Sequence, residues 1–165
     1  MRRVTPRLLT PETFAAYGEV ISARDGVEQM TINYGATTRF NDLAAIDVAT
    51  GGGHAIVSLF RSTPLPEPVL KIMERHPLGS QAFMPLNGRP YLVAVAPAGD
   101  LDPAKIEVFV AAGDQGVNYA AGTWHHYSLA LEAVSDFLVV DRAGPGTNLD
   151  EVELAEVDWV GVMLP

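Results

Sequence analysis

An all-β domain with one short N-terminal helix is the fold this chain predicts, on three observations. Runs rich in Val, Ile, Phe and Tyr recur between Gly and Pro punctuation from Val27 onward. Seven of the twelve prolines fall between Pro64 and Pro97. Proline has no N–H to give a central ladder, so strands there must be short and joined by turns. Only residues 10–18 carry the caps of a helix. With 165 residues, 48% of them hydrophobic and 19% charged, the chain reads as a single domain spanning 1–165. That length buries a sizeable core, and a small barrel or sandwich suits the pattern better than a helical bundle.

In chain order, Thr10-Pro-Glu-Thr13-Phe-Ala-Ala-Tyr17-Gly18 is the helix. Thr10 serves as N-cap, Pro11 takes the first turn where its missing N–H costs nothing, and Gly18 is the stop. Strands follow at Ala55-Ile-Val-Ser-Leu-Phe60, Tyr91-Leu-Val-Ala-Val-Ala96, Ile106-Glu-Val-Phe-Val110 and Asp136-Phe-Leu-Val-Val-Asp141. The segment Val69-Leu-Lys-Ile-Met-Glu-Arg-His76 tolerates a helix by composition. It is read as a strand because Pro77 drives His76 into extended geometry. The acidic stretch from Asp150 to Trp159 alternates apolar and charged residues and is expected to pack as a final edge strand.

Composition excludes several function classes. A formal net charge of -9, with no basic cluster beyond Arg2-Arg3, argues against nucleic acid as a partner. The absence of cysteine removes disulfides, thiolate metal sites and a cysteine nucleophile, in keeping with a cytoplasmic protein. The N-terminus lacks the apolar run of a signal peptide, and no stretch approaches the roughly 18 apolar residues of a membrane helix. The expected partner is a small molecule. If that molecule is an anion, the overall field opposes its approach, and a few placed arginines must overcome it locally.

Three of the four histidines fall in two segments, Glu74-Arg-His76-Pro-Leu-Gly-Ser-Gln81 and Gly116-Val-Asn-Tyr119-Ala-Ala-Gly122-Thr-Trp124-His125-His126. In a strand, Glu74 and His76 share a face and Arg75 points away. Taken singly, His76 and His125 are satisfied core histidines and Glu74 a solvated carboxylate. The spacing of the two segments weighs against that. Glu74-x-His76-x4-Gln81-x6-Gly88 resembles the first cupin motif, with Glu for its first His and Gln for its Glu. Gly122-x-x-His125 resembles the second, with Ala120 in place of a proline and Leu129 in place of an asparagine. The resemblance implies a cupin-like double-stranded β-helix, or jelly-roll barrel. Glu74, His76, Gln81 and His125 are then the candidate metal ligands, a neutral Gln81 being a weaker donor than a carboxylate.

A closer resemblance runs through Phe14-Ala-Ala-Tyr-Gly-Glu-Val-Ile, Arg39-Phe-Asn-Asp42-Leu-Ala, the 74–83 segment, Gly113-Asp-Gln-Gly-Val-Asn-Tyr119, Trp124-His-His126 and Asp136-Phe-Leu-Val-Val-Asp-Arg142. Together these resemble the ureidoglycolate lyase family of allantoin (purine) degradation, formerly called ureidoglycolate hydrolase. The resemblance implies a homodimer that cleaves (S)-ureidoglycolate to glyoxylate and urea. Nickel (Ni2+) or another divalent cation is the one cofactor it raises.

That reaction needs only proton transfers, and histidine, with an unperturbed pKa of about 6.5, can give or take a proton near neutrality. His76 and His125 are the candidate acid and base in either order, with Glu74 assisting. A bound cation would instead act as Lewis acid and template. The substrate carboxylate calls for a bidentate guanidinium, for which Arg39, Arg61 and Arg142 are the candidates. Gln81, Asn118 and Tyr119 are candidates for the ureido group, and Trp124 for a pocket wall. His126 faces opposite to His125 and is expected to support it or to lie at an interface, and His54 is expected in an exposed loop. Three other readings compete: a hydrolase that releases ammonia, a metal-dependent cupin isomerase or oxygenase, and a non-catalytic small-acid sensor.

Overall fold

A computed structural model describes residues 1–164 and is mostly β. The strands, in chain order, are β1 (Arg2–Val4), β2 (Arg7–Leu8), β3 (Gly18–Ile21), β4 (Gln29–Ile32), β5 (Thr37–Phe40), β6 (His54–Ser62), β7 (Val69–Leu70), β8 (Ile72–Arg75) and β9 (Gln81–Pro85). They continue as β10 (Tyr91–Ala96), β11 (Glu107–Ala111), β12 (Gly116–Tyr119), β13 (Trp124–His125), β14 (Leu129–Ala130), β15 (Ser135–Ala143), β16 (Asp150–Glu153) and β17 (Val160–Val162). The one α-helix, α1 (Pro11–Phe14), is short because its capping box, Thr10 against Thr13, closes a single turn. Its chain then turns into β3 at Gly18, whose positive φ of 148° and tight approach to the Asn118 carbonyl leave no room for a Cβ.

Two sheets carry the fold. A seven-stranded sheet runs β16-β8-β13-β10-β11-β2, with β14 also on β10, and a five-stranded sheet runs β3-β12-β9-β15-β6. Their facing sides bury one core, including Val93, Val95 and Phe109 from the first sheet and Phe83, Val117, Phe137 and Val139 from the second. α1 adds Phe14 to it. A second core lies on the other side of the larger sheet, where Leu92, Ala94 and Ala96 pack with Leu70, Val160 and Val162 of the small sheet β1-β17-β7. This is why Tyr91–Ala96 is apolar at every position: β10 is covered on both faces. The arrangement is the cupin-like β fold that the chain predicts.

Two elements depart from expectation. The 150–159 stretch does supply an edge strand, β16 on β8, but it is not the last strand. A 3-10 turn at Glu156–Asp158 follows, and β17 then inserts between β1 and β7, because Val160-Gly-Val162 is apolar enough to be buried there. The other is the segment read as one strand over 69–76, which divides at Lys71 into β7, paired with β17, and β8, paired with β13 and β16. The β4–β5 hairpin pairs with no other strand among the described residues and turns through Asn33, Tyr34 and Gly35, all at positive φ.

Candidate active site

The two histidine segments meet because β13 pairs with both β8 and β10. His125 has Glu74 as one Cα partner and Val95, a core residue, as another, so all three face the shared core. His76, just past the end of β8, joins them: one ligand-capable atom each from Glu74, His76 and His125 lie within 4.8 Å of one another. The imidazole centroids are 5.2 Å apart.

Backbone carbonyls set the tautomers. His76 Nδ1 lies 2.7 Å from Asn148 O. His125 Nδ1 lies 3.3 Å from His126 O and 3.6 Å from the Glu74 carboxylate. A carbonyl only accepts, so each Nδ1 carries a proton, and His125, kept neutral by burial, has a lone pair at Nε2. Both Nε2 atoms are buried with no hydrogen-bond partner among the described residues.

Burial dominates the electrostatics. It pushes His125 down to about 3, helped by the neighbouring His76, and His126 down to about 4. Burial raises the Glu74 carboxyl; His76 pulls it back and Glu151, its Cα partner on β16, raises it further. His125 is therefore a neutral imidazole at physiological pH.

The facing sheet closes the site. The Tyr119 ring on β12 stacks on the His125 ring, with centroids 4.3 Å apart and planes 5° apart. Burial, then the Glu74 charge, raises the Tyr119 phenol, which stays protonated. Gln81 is the Cα partner of Tyr119 and is 4% exposed. Its Nε2 donates to Asp141 Oδ2 at 3.0 Å, and Gln81 Oε1 and Asp141 Oδ1 are buried without donors. The sequence reading did not single out Asp141. The signal was there, because Phe137 and Val139 alternate onto the inner face and Asp141 is next in that series.

Other expected residues lie elsewhere. Asn118 points to the outer side, where its Nδ2 donates to Glu19 Oε2 and Ala45 O, each at 2.9 Å. Arg142 is buried but gives its N–H groups to Thr50 O and Pro145 O, pinning the loop before β6. Arg61 forms a bidentate pair with Asp136, at 2.7 and 2.9 Å. It sits at the end of β6 away from Ile56, the partner of Asp141, which puts it about 16 Å along the strand. Arg39 lies on the exposed β4–β5 hairpin. Trp124 belongs to the second core, its Nε1 donating to Gly99 O under the Arg75 guanidinium, so it is not a wall of this site. His126 is buried against Tyr127, and His54 is exposed at the start of β6. The largest open concavity described, about 550 Å³, is lined by Leu8, Pro11, Arg24 and Pro90 among others and includes none of the clustered residues.

Two imidazole Nε2 atoms beside a carboxylate can relay protons, and the same donor set suits a divalent cation; Gln81 offers a further oxygen from the facing sheet. The sequence matches the ureidoglycolate lyase family over residues 1–160. A Burkholderia mallei protein named ureidoglycolate lyase is 55% identical over 161 residues, covering 97% of this chain and 94% of its own length. Proteins of that name from Brucella anthropi and Pseudomonas syringae pv. syringae are 51% and 49% identical, covering 92% and 94% of this chain and 89% and 92% of their own lengths. No helix among the described residues is long and apolar enough to cross a membrane. On identity at this level along nearly its whole length, the chain belongs to the ureidoglycolate lyase family.

Proposed function

We propose that this enzyme is a lyase that cleaves (S)-ureidoglycolate to glyoxylate and urea at the Glu74–His76–His125 cluster. One observation carries the reading: two adjacent imidazoles each have Nδ1–H tied to a backbone carbonyl and a buried, unpartnered Nε2. Ureidoglycolate holds a hydroxyl, a carboxylate and a ureido nitrogen on one carbon. As the C–N bond breaks, the hydroxyl proton leaves, its electrons form the aldehyde C=O, and a proton arrives on the departing nitrogen. Atoms balance without water or a redox cofactor. His125, held neutral by burial and by His76, takes the hydroxyl proton at Nε2. His76, entering the cycle protonated at both ring nitrogens, gives its Nε2 proton to the departing nitrogen beside the Glu74 carboxylate. The proton then returns between rings whose centroids are 5.2 Å apart.

The cluster also fits a divalent cation such as Ni2+, since ligating histidines present one nitrogen while the other donates to a carbonyl. When bound there, the cation polarises the substrate hydroxyl and carboxylate.

The enzyme works as a homodimer. β6 is a nine-residue strand at the edge of its sheet, with Val57 and Leu59 67% and 66% exposed, and a long apolar edge is a template for another chain. The unpaired β4–β5 hairpin, carrying Arg39, is the second surface that a copy of the chain covers. Arg61 and Arg142 are committed to other partners, which leaves Arg39 to hold the substrate carboxylate. The enzyme acts in the cytoplasm, on a small molecule and not on nucleic acid or a membrane.

The test is release of urea, glyoxylate and ammonia from fresh racemic ureidoglycolate, above its spontaneous decay, before and after chelation and with nickel restored. Equal urea and glyoxylate without ammonia are expected. Ammonia release, or no acceleration in any condition, overturns the lyase.

A further inference from the structure

We propose that Asp141 and Gln81 form the subsite for the ureido group, and that Asp141 sets the direction in which substrate lies. The inference rests on the lyase reading above. A carboxylate accepts and never donates, so the 3.0 Å contact fixes the Gln81 amide with its Nε2 towards Asp141. Turning the amide over would set its oxygen against a carboxylate oxygen. The fixed orientation leaves Gln81 Oε1 as an acceptor, and Asp141 Oδ1 is a second; both are buried and neither has a donor among the described residues. Buried acceptors without donors are costly in a folded protein, and a ligand that brings N–H groups relieves that cost.

The substrate has N–H donors at one end only. The ureido group presents an –NH2 and an –NH–, while the opposite end is a carboxylate that Asp141 repels. The acceptor pair therefore accepts substrate in one orientation, with the ureido nitrogens towards β9 and β15. The pair is also close to the chemistry. Gln81 and Tyr119 are direct cross-strand partners on one face, and the Tyr119 ring lies on His125. Neighbours of that kind have Cβ atoms about 5 Å apart. Molecules with a carboxylate in place of the ureido group are rejected, because their charge falls on Asp141.

The subsite makes a measurable distinction between the two products. Urea carries N–H donors, and glyoxylate, which leaves the site as the free aldehyde, carries none. In Asp141→Asn, the new amide can donate to Gln81 Oε1 and the acceptor pair is lost. Product inhibition by urea is expected to weaken about tenfold or more, and KM for ureidoglycolate to rise with it, with a smaller fall in kcat. Inhibition by glyoxylate should stay within about twofold. A general loosening of the barrel would weaken both products together. Parallel loss of both, or no change in urea inhibition, overturns the proposal. Should Asp141→Asn fail to fold, Gln81→Met fills the same volume without the acceptor and must give the same split. Calorimetric binding of urea to wild type and variant decides the subsite even if wild type fails to turn over ureidoglycolate, which would instead count against the lyase.

Discussion

At the scale of the residue, His125 is defined by what surrounds it. Tyr119 covers one ring face, carbonyl and carboxylate oxygens hold Nδ1, and burial removes its charge. Replacing it with alanine removes the proposed base, and kcat is expected to fall by about 10²- to 10⁴-fold. A variant that keeps its fold by circular dichroism and its turnover would remove His125 from the chemistry. The same burial couples stability to pH. His125 and His126, at about 3 and 4 when folded, sit below the ordinary 6.5. Between these values the unfolded chain takes up protons that the folded chain refuses. Their contribution is therefore complete above about pH 6.5 and is lost as pH falls, by up to about 1.4 kcal/mol per unit for each. Glu74, raised when folded, acts in the opposite sense and reduces the net slope. His126→Gln should flatten the profile of urea-denaturation midpoints between about pH 7 and pH 5. An unchanged slope would rule His126 out as a source.

Elements explain what could be read in advance and what could not. The extended reading of 69–76 was legible from Pro77, and alternation then places Glu74 with His76; that the segment divides at Lys71 into β7 and β8 of two different sheets was not. Tyr91–Ala96 was legible as a strand from its unbroken apolar run. Alternation gives the face of each residue but says nothing of the loop or strand packed against that face. Asn118 and Arg142 illustrate this: both are polar residues at strand ends in site-like segments, and both serve the 45–50 loop. Arg61 was readable after all, since Phe60 packs inward on Phe83 and its neighbour must point out. Two expected outcomes follow from these placements. Arg61→Lys should leave KM for ureidoglycolate unchanged, because the pair it disturbs is solvent-exposed; a rise in KM would return Arg61 to the site. Arg142→Met removes the charged donors that tie the Thr50 and Pro145 carbonyls and should destabilise the fold by about 1–3 kcal/mol in chemical denaturation. A change smaller than experimental scatter would show that the loop is held by something else.

For the whole molecule, the charge balance poses a problem that a single chain leaves unsolved. A net charge of -9 repels an anionic substrate, and among the described residues Glu74, Glu151 and Asp141 face the site while no arginine does. The hairpin that carries Arg39 has no strand partner beyond itself, and β6 leaves an apolar edge open. A two-fold dimer resolves both features if each hairpin reaches across to the neighbouring barrel, since in such an interface every contact occurs twice. The geometry makes a prediction that stability data cannot mimic. In the proposed dimer, His125→Ala and Arg39→Ala should each be nearly inactive, one lacking the proposed base and the other the proposed carboxylate clamp. In a mixed dimer, the barrel that keeps His125 receives Arg39 from the other chain and is whole, while the second barrel lacks both. After subunit exchange of an equal mixture, half the dimers are mixed and each holds one working site, so activity should recover to about one quarter of wild type. If Arg39 served its own barrel, every site in the mixture would lack one residue and no recovery would occur. Leu59→Asp, placed on the apolar edge, should lower the molecular mass measured by light scattering to that of a single chain and abolish the recovery with it.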